Sequence, residues 1–250
     1  MDTLVEQRAV APADLADALA RFRKQQPHVH CVTNAVAQNV TANVLLAAGA
    51  TPSMTIAPEE VADFASAAAA VLVNLGTLDD QRREAAWISI DVCREAGKPW
   101  VLDPVFVNAS RPRLELALAL LDEGPALVRA NTAEHASLFG HRDVDANTVL
   151  AVTGERDDIR HRRRRTNVAN GSPLATRVTA MGCALTALAA GFVAANEDPF
   201  TATIAAHAFF GLACERAEAA SNGPGSFQIA LLDTLHALTP DDLAKGARIS

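Results

Sequence analysis

Five short stretches carry the polar side chains best placed for chemistry: Thr33-Asn34, Gly76-Thr77, Asp103-Pro104, Thr153-Gly154 and the run VTAMGC at 178–183. The last leads straight into the apolar stretch ALTALAAGFVAA and therefore reads as the first turn of a buried helix. Free backbone N–H groups and the helix dipole make such a turn electropositive, so it can receive an anion. Gly182 would let a ligand approach the backbone closely, and Cys183 lies where a helix N-terminus favours the thiolate. A buried cysteine that merely opens a core helix fits the same residues equally well. Neither G-x-x-x-x-G-K-[ST] nor G-x-G-x-x-G occurs, so a bound phosphate would have to use another helix N-terminus such as this one. The Asn, Thr and Asp residues of the other stretches suit ligand binding, but they also cap helices.

Other chemistries find less support. Cys31, Cys93, Cys183 and Cys214 form no C-x-x-C, and the histidines form no H-E-x-x-H. His28 and His30 would share one strand face without a third ligand, so no structural metal is expected there. His207 falls on an apolar helical face and reads as a satisfied core residue. Lys plus Arg is 22 against 29 Asp plus Glu, a formal charge of −7 that argues against nucleic acid as main partner. Apolar runs break well short of the about 18 residues a membrane span needs. The opening MDTLVEQRAVAPADLAD lacks an export pattern, and a reducing cytoplasm is the expected compartment.

These stretches must be held by alternating elements. Periodicity predicts helices over 12–26, 40–48, 58–68, 79–96, 114–121 and 132–139, with strands over 28–33, 53–56, 71–75, 100–102, 126–128 and 148–152. Glycines 49 and 97 stop two of the helices. Such alternation implies an α/β fold with a mainly parallel central sheet and helices on both faces. In that architecture ligands gather where strands end and helices begin. The basic run 156–165 reads as a solvated hairpin or loop, or as an anion-binding arm. From Met181 the chain is nearly all helix, over 181–195, 199–220 and 227–238, and no composition break divides residues 1–250 into domains.

Read together, the segments HCVTNAVAQNVTANVLLAAGATPSM (30–54), EEVADF (59–64), VLVNLGTL (71–78), LDPV (102–105), NTAE (131–134), VTGE (152–155), VTAMGCALTA (178–187) and GPGSFQIALLD (223–233) resemble the hydroxyethylthiazole kinases, in family order. The resemblance implies a three-layer ribokinase-like fold and transfer of the ATP γ-phosphoryl group to 4-methyl-5-(2-hydroxyethyl)thiazole in thiamine salvage. It implies Cys183 as the catalytic residue, with Met54, Ala180 and Asn34 toward the thiazole and Arg129, Thr153 and Gly182 toward ATP. Asp103, Asn131 and Glu134 would organise Mg2+, and a homotrimer would form sites at subunit interfaces.

Three departures accompany the match. The family's first anion-turn glycine is replaced by Ala180, followed by Met181; Asn108 stands where a glycine usual for the turn would be; and the segment 140–148 is shorter by about a helix. An alanine at a glycine position can strain the turn and slow turnover. A non-catalytic thiazole- or nucleotide-binding relative, or a kinase for another small alcohol, is therefore also compatible with the sequence. The short segment should leave one sheet face uncovered or force a tight crossover.

Overall fold

A computed structural model describes residues 9–140 and 142–250. In chain order the elements are α1 (Pro12–Gln25), β1 (His28–Val32), α2 (Gln38–Ala48), β2 (Thr51–Ser53), α3 (Pro58–Ala67), β3 (Ala70–Asn74), α4 (Asp80–Ala96) and β4 (Trp100–Asp103). There follow α5 (Arg111–Leu121), β5 (Leu127–Asn131), α6 (Thr132–Phe139), β6 (Val149–Thr153), β7 (Asp157–His161) and β8 (Arg164–Val168). A 3-10 turn (Pro173–Arg177) then leads to α7 (Met181–Ala195), α8 (Pro199–Ala219), α9 (Pro224–Ala237) and α10 (Pro240–Gly246).

Local chemistry sets the boundaries. The Asp79 carboxylate caps α4 by accepting from the Arg82 N–H, and Gly97 closes it at φ 63°. Gly49 ends α2 at φ 107°. Pro112 opens α5 earlier than its apolar spacing predicts. The edge strand β2 begins two residues before the expected 53–56 because Thr51–Ser53 are the residues in register with His28–His30.

One eight-stranded sheet runs in the order β2-β1-β3-β4-β5-β6-β7-β8. Strands β1 to β6 pair parallel, and β7 and β8 add antiparallel at the edge. Crossover helices bury both faces, which splits the apolar core in two. Helices α1, α7 and α8 supply much of one cluster, where Phe22 stacks on Phe192 with ring centroids 4.4 Å apart. Helices α3 to α6 contribute the other. The three layers agree with the α/β expectation. Because β2 lies outside β1, the winding direction reverses between β1 and β3, the kind of position near which ligands gather in open parallel sheets.

The basic run forms the β7–β8 hairpin, and several of its arginines have protein partners. Arg160 and Arg165 hold Asp158, Arg164 grips Asp198 at 2.7 and 2.9 Å over the Phe200 ring, and Arg162 donates to Asn147. These pairings favour the hairpin reading over the anion-binding arm. The short 140–148 segment does not strain the crossover, since α6 itself spans it and β5–β6 pairing runs unbroken from Leu127↔Val149 to Asn131↔Thr153. A cavity of about 410 Å³ lies between α6, this segment and the hairpin. His141 and residues 1–8, including much of the stretch read for an export signal, lie outside the described residues. Among the described residues no helix is long and apolar enough to cross a membrane.

Candidate active site

The five stretches converge at one end of the sheet. Asn74 ends β3 directly beside Asp103 at the end of β4, because the parallel register pairs them. Its Nδ2 donates to Asp103 Oδ2 at 2.8 Å, while its Oδ1 accepts from Asn34 Nδ2 at 2.9 Å and from the Gly76 N–H at 3.0 Å. Asn34 Nδ2 also reaches Cys183 Sγ at 3.4 Å, and Thr186 Oγ1 lies 3.0 Å from Asp103 Oδ2. Gly76 makes this packing possible, since a Cβ there would fall 2.7 Å from the Asn34 Cβ. A buried polar network is costly unless its members are satisfied. Here one atom is left over: Asp103 Oδ1 is buried without a hydrogen-bond partner.

The first turn of α7 closes the other side. Ala180 is its N-cap and adopts φ 67°, the left-handed conformation that a glycine would take without penalty. A Cβ in this region costs roughly 1–2 kcal/mol, partly offset by the chain entropy that glycine loses on folding. Ala180→Gly should therefore raise the melting temperature by about 2 °C and increase kcat severalfold; thermal denaturation with steady-state assays checks both, and a fall in both would contradict the strain. Met181 is buried in the first core cluster and forms cavity wall. Gly182 faces Arg129 so closely that a Cβ would stand 2.7 Å from Nη1 and 2.9 Å from Nη2. Arg129 in turn donates from Nη2 to Thr153 Oγ1 at 3.0 Å and holds Nη1 4.0 Å from Asp103 Oδ1.

In the cluster around Asn34 and Asn74 two ionisable groups, Asp103 and Cys183, depart from their ordinary behaviour. Burial pushes the Asp103 carboxyl up to about 6, with Arg129 opposing the shift and Glu134 adding to it. Burial and then the Asp103 charge push the Cys183 thiol up to about 12, against Asn74, Asn34 and Arg129. The thiolate expected at a helix N-terminus is thus corrected: desolvation beside a carboxylate outweighs the dipole, and Cys183 is a thiol at neutral pH.

Asn131 and Glu134 form a capping box on α6. The Asn131 amide oxygen accepts from the N–H groups of Ala133 and Glu134, and Glu134 Oε2 accepts from the Asn131 N–H at 2.9 Å. Glu134 Oε1 takes the Phe106 N–H at 2.9 Å. That bond steadies a left-handed residue at Phe106 (φ 58°), so the positive φ of this turn falls there and not at Asn108. Among the described residues no three His, Cys, Asp or Glu side chains cluster as a metal cage. A nucleotide-borne cation needs no cage: Mg2+ uses one or two carboxylates with phosphates and water. The orphaned Asp103 Oδ1 and the spare lone pairs of Glu134 fit that requirement, whereas the Asn131 oxygen is already used twice.

A cavity of about 920 Å³ opens beside the turn, lined among others by Arg129, Thr153, Gly154, Asp157, Gly182 and His207. Of the residues singled out in the sequence, Arg129, Thr153 and Gly182 border it; Asn34, Asp103 and Cys183 lie together on the other side of the turn. Ala180 caps the turn that stands between them, and Met54, half-buried just after β2, does not line the cavity. His28 and His30 converge on Ser53 Oγ at 2.7 and 2.8 Å. Sequence reading missed Asn74, Thr186, Asp157 and the part played by His207. Asn74 offered one signal, a polar residue closing the apolar strand AVLVN.

A family model described as the hydroxyethylthiazole kinase family matches residues 19–147 and 143–241. A protein of Cereibacter sphaeroides named hydroxyethylthiazole kinase is 43% identical, covering 92% of this chain and 96% of that protein. One of the same name from Moorella thermoacetica is also 43% identical, covering 94% and 97%. The solved structure of hydroxyethylthiazole kinase protein from Pyrococcus horikoshii superposes with a TM-score of 0.90 at 36% identity, covering 94% of this chain and 98% of that one. A ribokinase-like superfamily protein from Enterococcus faecalis, 13% identical at a TM-score of 0.66 over 96% of this chain and 100% of that one, shares the fold.

Proposed function

The chain belongs to the hydroxyethylthiazole kinase family, and on that premise we propose that it transfers the γ-phosphoryl group of ATP to the hydroxyl of 4-methyl-5-(2-hydroxyethyl)thiazole in thiamine salvage. The observation that carries this reading is the packing of Gly182 against Arg129. It sets a guanidinium and the open N–H groups of a helix turn around one point, at the mouth of a nucleotide-sized cavity and beside Cys183.

Phosphoryl transfer depends mainly on positioning and on neutralising charge. Arg129 and Thr153 bind the triphosphate, and the turn 180–183 receives the γ-phosphoryl group. Asp103 and Glu134 would hold Mg2+, with Asn131 fixing Glu134 through the capping box; when bound, the ion neutralises charge on the β- and γ-phosphates. Asn34 and Cys183 place the alcohol oxygen on the far side of the turn. That oxygen bonds to phosphorus, the bond from phosphorus to the β-γ bridging oxygen breaks, ADP departs and the alcohol proton is released. A loose transition state asks little of a base, so an un-ionised Cys183 suffices to orient the hydroxyl.

Met54 reaches a thiazole held by a second copy of the chain. Support comes from exposed Val36, Leu46, Phe64 and Ile229, of which Leu46 and Ile229 stand on helices that pack together near the β2 edge. Apolar side chains of this size suit a subunit interface in a homotrimer. The enzyme is cytoplasmic in this reading, with its four cysteines as thiols. Met181 is packed in the core and forms part of the cavity's wall, and the relatives named as kinases do not favour a non-catalytic binder.

A coupled ADP-release assay with the thiazole alcohol, with product identified by mass spectrometry, tests the function. Thiazole-dependent ADP release and a phosphorylated thiazole are expected. ATP binding without thiazole-dependent turnover, or preference for a hydroxymethylpyrimidine, would overturn it.

A further inference from the structure

Among the described residues two buried ionisable side chains of the nucleotide cavity's wall, Cys214 and His207, have no task in the proposed chemistry, and of these His207 is hydrogen-bonded to a carboxylate. It sits on α8, is 1% exposed, and its Nδ1 lies 2.7 Å from Asp157 Oδ2. Because a carboxylate there can only accept, Nδ1 carries the proton. Its Nε2 is buried without a hydrogen-bond partner. A histidine present only to fill space would be a poor choice, since an apolar ring of similar size would leave no polar atom stranded.

The second oxygen of Asp157 explains the arrangement. Oδ1 accepts the N–H of Gly154 at 3.1 Å, across the turn that joins β6 to β7. Gly154 follows Thr153, whose hydroxyl accepts from Arg129, and Arg129 packs over Gly182. Thus α8 is tied to the phosphate-facing end of β6 by an unbroken path. Asp157 also borders the cavity, together with Glu155. Freed from His207, its carboxylate could swing toward the cavity and repel a polyphosphate.

We propose that His207, acting through Asp157, is a positioning residue for the nucleoside triphosphate: it holds the Thr153–Gly154 turn in register and keeps the Asp157 charge turned into the wall. The inference rests on the phosphoryl-transfer reading for the identity of the ligand, but its effect is on nucleotide binding.

The test compares wild type, His207→Phe, His207→Asn and Asp157→Ala, using calorimetric titration with ADP and steady-state kinetics with ATP and the thiazole alcohol. His207→Phe keeps volume and loses the donor, so the ADP Kd and the ATP KM should each rise about tenfold, with kcat and the thiazole KM within about twofold. His207→Asn, which can still donate to Asp157, should recover most of the loss. Asp157→Ala should weaken nucleotide binding similarly, and the His207→Phe/Asp157→Ala double variant should be no worse than the weaker single one, as residues on one path are non-additive. Unchanged nucleotide affinity in His207→Phe, or equal defects in His207→Phe and His207→Asn, would overturn the proposal. Should His207→Phe not fold, His207→Asn and Asp157→Ala decide it, the proposal requiring near-wild-type affinity in the first and weak affinity in the second. A wild type that binds ADP yet phosphorylates no thiazole alcohol would overturn the proposed reaction and leave this test readable.

Discussion

Replacing Asp103 with Asn is expected to make the metal-free protein more stable and the enzyme nearly inactive. Burial holds this carboxyl up at about 6, against roughly 4 in an unfolded chain. The folded state therefore binds the extra proton between those two values. The stability associated with the protonated form is complete below about pH 4 and is lost as pH rises through about 6. At pH 8 the folded wild type carries a buried charge that costs about 3 kcal/mol. Asparagine carries none, and its carbonyl can still accept from Asn74 and Thr186 as Asp103 Oδ2 does. The melting temperature of Asp103→Asn should exceed that of wild type by roughly 6–12 °C at pH 8, with the gap closing near pH 4. Activity should fall at least about 100-fold, the scale of losing one preorganised electrostatic group. Cys183→Ala should cost less than about tenfold, because an un-ionised thiol contributes orientation and not charge. Thermal melts across pH in chelator, with kcat/KM for the three proteins, check the set. A destabilised Asp103→Asn, or Cys183→Ala losing more activity than Asp103→Asn, would refute the assignment.

Gly182→Ala should separate folding from catalysis in a different way. The added Cβ would stand 2.7 Å from Arg129 Nη1, and the guanidinium is the far end of a flexible chain that can move aside. Stability should change by less than about 1 kcal/mol. The movement would break the 3.0 Å bond to Thr153 and take the positive charge from the turn. We expect kcat/KM for ATP to drop on the order of 100-fold. Activity within twofold of wild type would mean that Arg129 does not act at this turn.

Much of the site's location was legible because short apolar strands announce a buried parallel sheet, and polar residues closing them collect at one end. Asp103 and Thr153 were readable in this way, and Gly182 as part of the turn that opens an apolar helix. Asn74 carried the same signal but not its importance, which comes from the register that sets it beside Asp103, and register depends on tertiary pairing. The Asp157–His207 link joins residues 50 positions apart through a charged hairpin and an apolar helix, with no periodic pattern connecting them. At the turn after β4, residue preference pointed to Asn108, but an N–H bond donated to Glu134 steadies a left-handed phenylalanine at 106 instead. Cys183 misled for a related reason. A helix dipole can be read from sequence, but the burial that outweighs it cannot.

The proposed transfer depends most on the opening turn of α7 accepting the transferred group. A crystal structure with a non-hydrolysable ATP analogue and the thiazole alcohol measures this directly. The terminal phosphate should accept hydrogen bonds from backbone N–H groups within residues 180–183 and from Arg129, with the alcohol oxygen on the Cys183 side. A triphosphate bound away from that turn, with Arg129 still closed over Gly182 and making no phosphate contact, would contradict it.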